Sequence, residues 1–325
     1  MSQNASKCSI LPTESDSARE QVSCPICGPK PTLFIGKSNN LPIVSCCGCD
    51  LVFVAEYVPM DSTLDFFRDK HMKDSDATRI NYVNYRQKSL TREAARIRSL
   101  VPQGGRLLDV GTASGFFLLQ FQGQTDWQVE GVEPSRVSAE FARREFDLKI
   151  HDGFLSDHRF PEAAFDVVCS LDAFGCHRQP REDMQEFYRI VAPGGLLAIE
   201  IPGHRFRVML GSGLLHRKSK ENSLRLHAGV NFFYYTRSTL TRLASLAGFE
   251  FVESHPEAMP STGSRVNQWA RNVYNIASGA LYRATNGDWN ISAKELIIFR
   301  KPHAKFEAAS PRNAAERSSG HLRVA

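Results

Sequence analysis

The segment LLDVGTASGFFL, residues 107–118, limits what this chain can fold into more than any other stretch. A short apolar run carrying Asp109 leads into a glycine-containing turn, and a helix is expected to start at about Gly115. Gly111 and Gly115 carry no Cβ, so the backbone there can approach a ligand closely. From residue 106 onward short apolar runs alternate with amphipathic stretches. RLLDV, WQVEGVE, LKIHD, FDVVCSL and GLLAIEIP read as strands, and SGFFLLQFQ, SRVSAEFARREF and REDMQEFYRIVA as helices. That alternation predicts an α/β, doubly wound and mostly parallel sheet with helices on both faces. Two further strands come late, FEFVESH at 249–255 and KELIIFRK at 294–301, with an inserted helix expected over 262–286 between them.

Ligands of open α/β sheets bind outside the carboxyl ends of the strands. The second strand of the series ends in Glu133, 22 residues after Gly111. A carboxylate there can accept hydrogen bonds from both hydroxyls of a ribose. A nicotinamide oxidoreductase would use the same architecture, but the GxGxxG fingerprint is absent. Asp109 also precedes the first glycine by two positions, where a carboxylate would face a pyrophosphate poorly. It suits a cofactor carrying an ammonium group and a sulfonium charge.

These motifs resemble those of class I S-adenosylmethionine (SAM)-dependent methyltransferases, over about residues 80–302. The resemblance implies a seven-stranded Rossmann-like sheet. It also implies that Asp109, Gly111, Ala113 and Gly115 hold the methionyl end of SAM and that Glu133 holds the ribose. HDGFL (151–155), with Asp152, Gly153 and Phe154, is similar to the segment that lines the adenine. FDVVCSLDAF (165–174), which contains Ser170, is similar to the fourth strand and its loop. EFYRIVAPGGLLAIEIP (186–202) is similar to the helix, PGG turn and fifth strand that follow, and the late strands to an antiparallel sixth and seventh. The chain departs from the family pattern at two places. Ala113 replaces the middle glycine of GxGxG. Gly175 and Cys176 stand where many relatives carry a Glu-His pair, with His177 one position late.

CPIC (24–27) and CCGC (46–49) give C-x2-C, eighteen residues, then C-x2-C. That spacing matches a zinc ribbon, with Cys24, Cys27, Cys46 and Cys49 as tetrahedral ligands. Four thiolates leave no open coordination position, so the zinc is expected to be structural. Cys47 is expected to be a bystander, and Cys8, Cys169 and Cys176 plain thiols, since disulfides are disfavoured in a reducing compartment. The zinc module, residues 22–60, reads as a separate unit. A helical linker or cap over 61–103 follows, with Ala94, Ala95, Ile97 and Leu100 as its buried stripe. The methyltransferase domain then occupies 104–302. The whole arrangement resembles bacterial methyltransferases with an N-terminal zinc-binding segment, some of which modify nucleotide-linked sugars or other biosynthetic intermediates.

Composition bounds the remaining possibilities. No apolar run approaches the roughly 18 residues that span a bilayer, and no signal-like stretch opens the chain, so no membrane association and a cytoplasmic location are expected. Polar residues 1–21 and 303–325 read as disordered tails. The net charge of +5 is too small to indicate nucleic-acid binding. It concentrates in 204–227, where Arg205, Arg207, Arg217, Lys218, Lys220 and Arg225 face only Glu221. Residues 204–240 read either as a lid over an anionic acceptor, with Phe232, Phe233, Tyr234 and Tyr235 packing partly on substrate, or as a solvated loop. His177, His204 and His227 are the candidate general bases. Tyr82 and Tyr85 read as core residues or as a cover over the methionyl group.

The expected function is methyl transfer from SAM to a small-molecule, anionic biosynthetic intermediate. A protein or RNA acceptor is the alternative, disfavoured by the lack of an N-P-P-[YF] motif after strand four. A non-catalytic zinc-ribbon and SAM-fold binding protein is a further alternative. The sequence leaves the attacking atom and the oligomeric state open.

Overall fold

A computed structural model of the chain describes residues 20–57, 76–203, 230–257, 265–287 and 289–303. It begins with five short strands: β1 (Glu20–Gln21), β2 (Thr32–Ser38), β3 (Leu41–Cys46), β4 (Val52–Val54) and β5 (Glu56–Tyr57). Asn39 and Asn40 take φ of 50° and 62° between β2 and β3. Two left-handed residues make the tight turn whose twist matches that of a hairpin, and asparagine tolerates it well.

Helix α1 (Asp76–Leu100) follows. Its buried stripe is Leu90, Ala94 and Ile97, continued by Val101 just past its end. Ala95 is exposed and does not belong to the expected stripe, while Leu100, half-buried, packs against the same cluster. The 3.6-residue period selects positions four, seven and eleven after Leu90.

The central elements are β6 (Gly105–Val110), β7 (Trp127–Glu133), α2 (Arg136–Phe146), β8 (Lys149–Asp152), β9 (Phe165–Leu171), α3 (Pro180–Ile190) and β10 (Val191–Pro202). After β11 (Phe233–Tyr234) come α4 (Arg237–Ala247), β12 (Glu250–Glu257), α5 (Arg265–Ala284) and β13 (Lys294–Arg300). A seven-stranded sheet has the order β12-β13-β10-β9-β6-β7-β8. β6 pairs in parallel with both β7 and β9, so the winding direction reverses at β6. That reversal opens the crevice in which such sheets hold ligands.

The late strands are antiparallel to one another as expected, β13 running against both β12 and β10. Two details differ from the sequence reading. SGFFLLQFQ forms just a 3-10 turn at Leu118–Gln120. The eleven residues between Gly115 and Trp127 must also turn the chain back, and Gly123 does so at φ 80°. The Pro-Gly-Gly segment lies inside β10, where the register with β9 shifts between Val191 and Leu196.

Side chains alternate across the sheet, and each face has its own core. On one face Leu107, Val167, Cys169, Leu196, Ala198 and Ile298 pack with Leu90, Ala94 and Ile97 of α1. On the other, Leu108, Val110, Val168 and Ile199 join Phe187 of α3 and Leu240 of α4. The same cluster takes in Ile43, Val44, Cys46, Phe53 and Val54. The cysteine-bearing strands therefore share a core cluster with the sheet. β11 completes the join by pairing with β4, Phe233 opposite Phe53, in a four-stranded sheet β11-β4-β3-β2. Phe232, Phe233, Tyr234 and Tyr235 are at most 2% exposed, so these rings pack into the core, and of the four Tyr235 also borders a cavity at the end of β10. Burial of such a side chain is worth roughly 1.5–3 kcal/mol. No helix among the described residues is long and apolar enough to cross a membrane.

Candidate active site and metal centre

The carboxyl ends of β6, β7 and β8 bring Asp109, Glu133 and Asp152 to one edge of the sheet, with Glu133 and Asp152 in register. Asp109 is 2% exposed and its Oδ1 has no hydrogen-bond partner among the described residues. Thr112 Oγ1 and Ser114 Oγ in the following turn are buried in the same condition. Gly111 sits at φ 80°, and a Cβ on it would lie 2.5 Å from that of Ala173 in the loop after β9. Glycine is required for these two loops to close up. Gly115, at φ 76°, serves packing, since a Cβ there would meet Leu148 Cδ1 at 2.5 Å.

Ala113 adopts φ 50°, a region that costs an L-residue about 1–2 kcal/mol. Its backbone N–H donates to Glu133 Oε2 at 2.7 Å, and that of Ser135 donates to Oε1 at 2.8 Å. The acid of the second strand is thus held by the turn of the first. Burial raises the carboxyl groups of Asp109 and Glu133 to about 7. Thr112 and, less strongly, Arg86 lower that of Asp109, and the two backbone donors lower that of Glu133, but neither set overcomes the loss of solvent. Asp152 is exposed and accepts from Arg143 Nη2 at 2.6 Å. Gly153 N donates to Glu133 O at 3.0 Å, and Phe154 beside it is half-buried.

Ser170 is fully buried with no hydrogen-bond partner for Oγ among the described residues. It is not brought to Asp109. Strand alternation puts Asp109 on the face of Cys169, while Ser170 follows Val168 onto the opposite face. His177 ends a 3-10 turn, Phe174–Cys176, in the loop after β9. Its Nδ1 lies 2.8 Å from Asp183 Oδ2 of α3, and its ring packs on Phe174 and Phe187. His204, His227 and the basic residues of 204–227 lie outside the described residues, as do the side chains of Tyr82 and Tyr85.

Sequence reasoning missed a buried ionic network beside Asp109. Glu200 of β10, 0% exposed, accepts from Arg86 Nη2 at 2.6 Å and from Lys294 Nζ at 3.2 Å. Lys294 also pairs with Asp172 at 2.6 Å, and Arg86 with Glu93 at 3.4 Å. The signal was one charged residue inside the otherwise apolar LLAIEIP. Nearby, a small, open cavity of about 50 Å³ lies at the carboxyl end of β10, lined by Ile201, Pro202, Tyr235, Arg237, Asn290 and Glu295.

The sulfur atoms of Cys24, Cys27, Cys46 and Cys49 lie within 4.8 Å of one another. A tetrahedral zinc with Zn–S bonds of about 2.3 Å needs sulfurs roughly 3.8 Å apart. Backbone N–H groups of Cys27 and Gly48 point at Cys24 Sγ (3.4 Å) and Cys46 Sγ (3.3 Å). A Cβ on Gly48 would stand 3.1 Å from Cys27 Sγ, so glycine there leaves room for the knuckle. Cys47 is disulfide-bonded and stands outside the four-sulfur cluster.

A sequence profile for the family described as "Methyltransferase domain" matches residues 82–254, just over half of the chain. The chain is 30% identical over 117 residues to the O-methyltransferase cnsE of Penicillium expansum, an alignment covering 34% of this chain and 42% of that protein. It is 27% identical over 124 residues to the 27-O-demethylrifamycin SV methyltransferase of Amycolatopsis mediterranei (strain S699), covering 35% and 45%. It therefore spans less than half the length of these curated relatives. Among solved structures it is similar in fold to a chain of the complex between the Haloferax volcanii Trm112 methyltransferase activator and a methyltransferase. That match has a TM-score of 0.52 at 17% identity, covering 70% of this chain and 95% of that one. Haemonchus contortus phosphoethanolamine N-methyltransferase 2 in complex with S-adenosyl-L-methionine matches with a TM-score of 0.52 at 17% identity, covering 78% and 63%.

Proposed function

The chain belongs to the methyltransferase-domain family, and we propose that it is a class I SAM-dependent methyltransferase that methylates an oxygen of a small, anionic biosynthetic intermediate. The observation that carries the cofactor part of this reading is the pair of buried carboxyls at the ends of β6 and β7, one with an unpartnered oxygen. SAM offers an ammonium group, a sulfonium charge and two ribose hydroxyls, and two buried carboxylates with spare lone pairs fit that set. Asp109 takes the methionyl side, Glu133 the ribose, and the Asp152–Phe154 turn borders the adenine. Gly111, Ala113 and Gly115 shape the turn between them.

The bound cofactor supplies an electrophilic methyl group for in-line displacement. The chain's own task is to align the acceptor and to take its proton. His177 is the proposed base. A proton held on Nδ1 by Asp183 leaves Nε2 able to accept one. The cavity at the end of β10 is the proposed acceptor site, with Arg237 as its cationic wall and the basic run at 204–227 following the same strand end. Both curated relatives are O-methyltransferases by name, which favours oxygen as the nucleophile. The four cysteines bind one structural zinc.

The test is a SAM-dependent screen over extracted metabolites, followed by mass spectrometry for the gain of one methyl group. The expected product is a methylated acidic small molecule whose formation drops by at least about a hundredfold in His177→Gln, the scale of general-base catalysis. Label transferred only to protein or RNA fractions would sink the small-molecule reading.

A further inference from the structure

The loop after β9 and the strand β11 reach the catalytic edge of the sheet from separate parts of the chain, and the cysteine-bearing strands hold both. Val54 N donates to Phe232 O at 2.9 Å, and Phe232 N donates onward to Gly175 O at 2.8 Å. One continuous backbone ladder thus runs from β4 through the start of β11 into the loop that carries His177. Tyr57 of β5 adds a second attachment, its hydroxyl donating to Arg178 O at 2.5 Å. The Arg178 guanidinium lies 4.2 Å from the Tyr57 ring centroid, and the same ring packs edge-on against Phe232 at 5.1 Å. A third attachment is the thiol of Cys176, which donates to Asn231 Oδ1 at 3.3 Å.

The fit is tight enough to select residues. A Cβ on Gly175 would stand 2.9 Å from Phe233 O and 3.3 Å from Asn231 Oδ1. Gly175 and Cys176 are the two positions where the sequence departs from the Glu-His pair of many relatives. With β11 crossing this close, a glutamate at 175 has no room. Asp109 itself faces the α1 side of the sheet, whose core cluster contains none of the cysteine-bearing strands, and the loop after β9 meets the cofactor turn at Ala173, opposite Gly111.

We propose that the four-cysteine module is a positioning element for the acceptor side of the active site, with Tyr57 and Asn231 as the positioning residues that set the loop carrying His177. Metal bound at the cysteines fixes β3 and β4, these fix β11, and β11 with Tyr57 fixes residues 174–178. The proposal rests on the reading of His177 and the zinc given above, so its test separates the three.

The experiment uses the full chain with and without its metal, removed by a strong chelator and verified by metal analysis. It adds the variants Tyr57→Phe and Cys49→Ser. Amide hydrogen exchange, SAM titration calorimetry and the ring-proton NMR signal of His177, assigned by its loss in His177→Gln, are read on each. Metal loss is expected to speed exchange at Phe232 and across 174–178 by at least tenfold and to move the His177 signal, while the Kd for SAM stays within about threefold. Tyr57→Phe keeps the ring and the metal but removes the hydroxyl, and is expected to shift the His177 signal and loosen 174–178 with the melting temperature little changed. Unchanged exchange at 174–178 after verified metal loss would overturn the proposal. So would loss of SAM binding in step with the loop, because the effect would then be global. If the purified protein holds no zinc, the zinc reading fails on its own. Tyr57→Phe still decides the interlock: an unmoved His177 signal and unchanged exchange refute it. An inactive His177→Gln is not required by either arm, so failure of the base assignment leaves a separate signature.

Discussion

At the level of single residues, the proposed cofactor site rests on two carboxyl groups whose burial alters their acidity. Asp109 and Glu133 start from about 3.8 and 4.5 and are raised to about 7 in the folded chain. Each binds its proton more tightly folded than unfolded, so the stability this pair contributes is greatest at low pH. It is lost as pH rises from about 4 through 7. Ligand binding runs the other way, because the ammonium, sulfonium and hydroxyl groups of SAM favour the ionised carboxylates. Affinity for SAM is expected to rise between pH 6 and pH 8, and calorimetry across that range checks it. At pH 8, Asp109→Asn or Glu133→Gln should weaken SAM at least tenfold, about 1.4 kcal/mol. The same changes should flatten the pH dependence of the unliganded protein's melting temperature. Wild-type affinity in both variants would remove Asp109 and Glu133 from the cofactor site.

At the level of elements, the informative piece is β11, only two residues long. It is too short to be stable alone, and its place is fixed by pairing with β4 and by rings buried on both sides. Phe233 stacks on Phe53 at 6.1 Å and on Tyr235 at 6.0 Å. Phe233→Ala should cost about 3–5 kcal/mol of unfolding free energy through the lost transfer energy and the cavity left behind. Gly175→Glu, which restores the side chain common among relatives, should cost at least 1–3 kcal/mol through overpacking against Phe233 O. Urea denaturation measures both. A neutral Gly175→Glu would mean that β11 can withdraw from the loop and that the contact is not tight in solution.

At the level of the whole molecule, the cysteine-bearing strands and the sheet share a core cluster, so they should lose structure together in one cooperative transition. Zinc release, followed with a chromogenic chelator during heating, is expected to coincide with the loss of helical circular dichroism. Release well below the main transition would identify the module as an independent unit. About one zinc per chain is expected by metal analysis. Helix α1 plays the matching part on the other face, where Arg86 joins Glu200 and Glu93 beside Asp109 and ties the segment before β6 to the catalytic edge.

The motifs legible in the sequence were those whose chemistry is local. The βα turn after Asp109, the acid at the end of the next strand, the CxxC pairs and the alternation of strand and helix each depend on residues a few positions apart, where period and spacing carry the information. Those patterns determined the α/β sheet, the family and the sulfur cluster. Other features required residues far apart in the chain to meet. Glu200 needed Arg86 and Lys294 before a charge could stand in an apolar strand, and Ser170 was separated from Asp109 only by which face each strand position presents. The aromatic run at 232–235 read as a cover for substrate because four adjacent rings look alike whether they face a ligand or a core. Only its pairing with β4 buried it, joined the metal module to the loop of His177, and gave Gly175 its reason. Local spacing specifies elements and ligand sets; long-range packing decides which surfaces remain free to act.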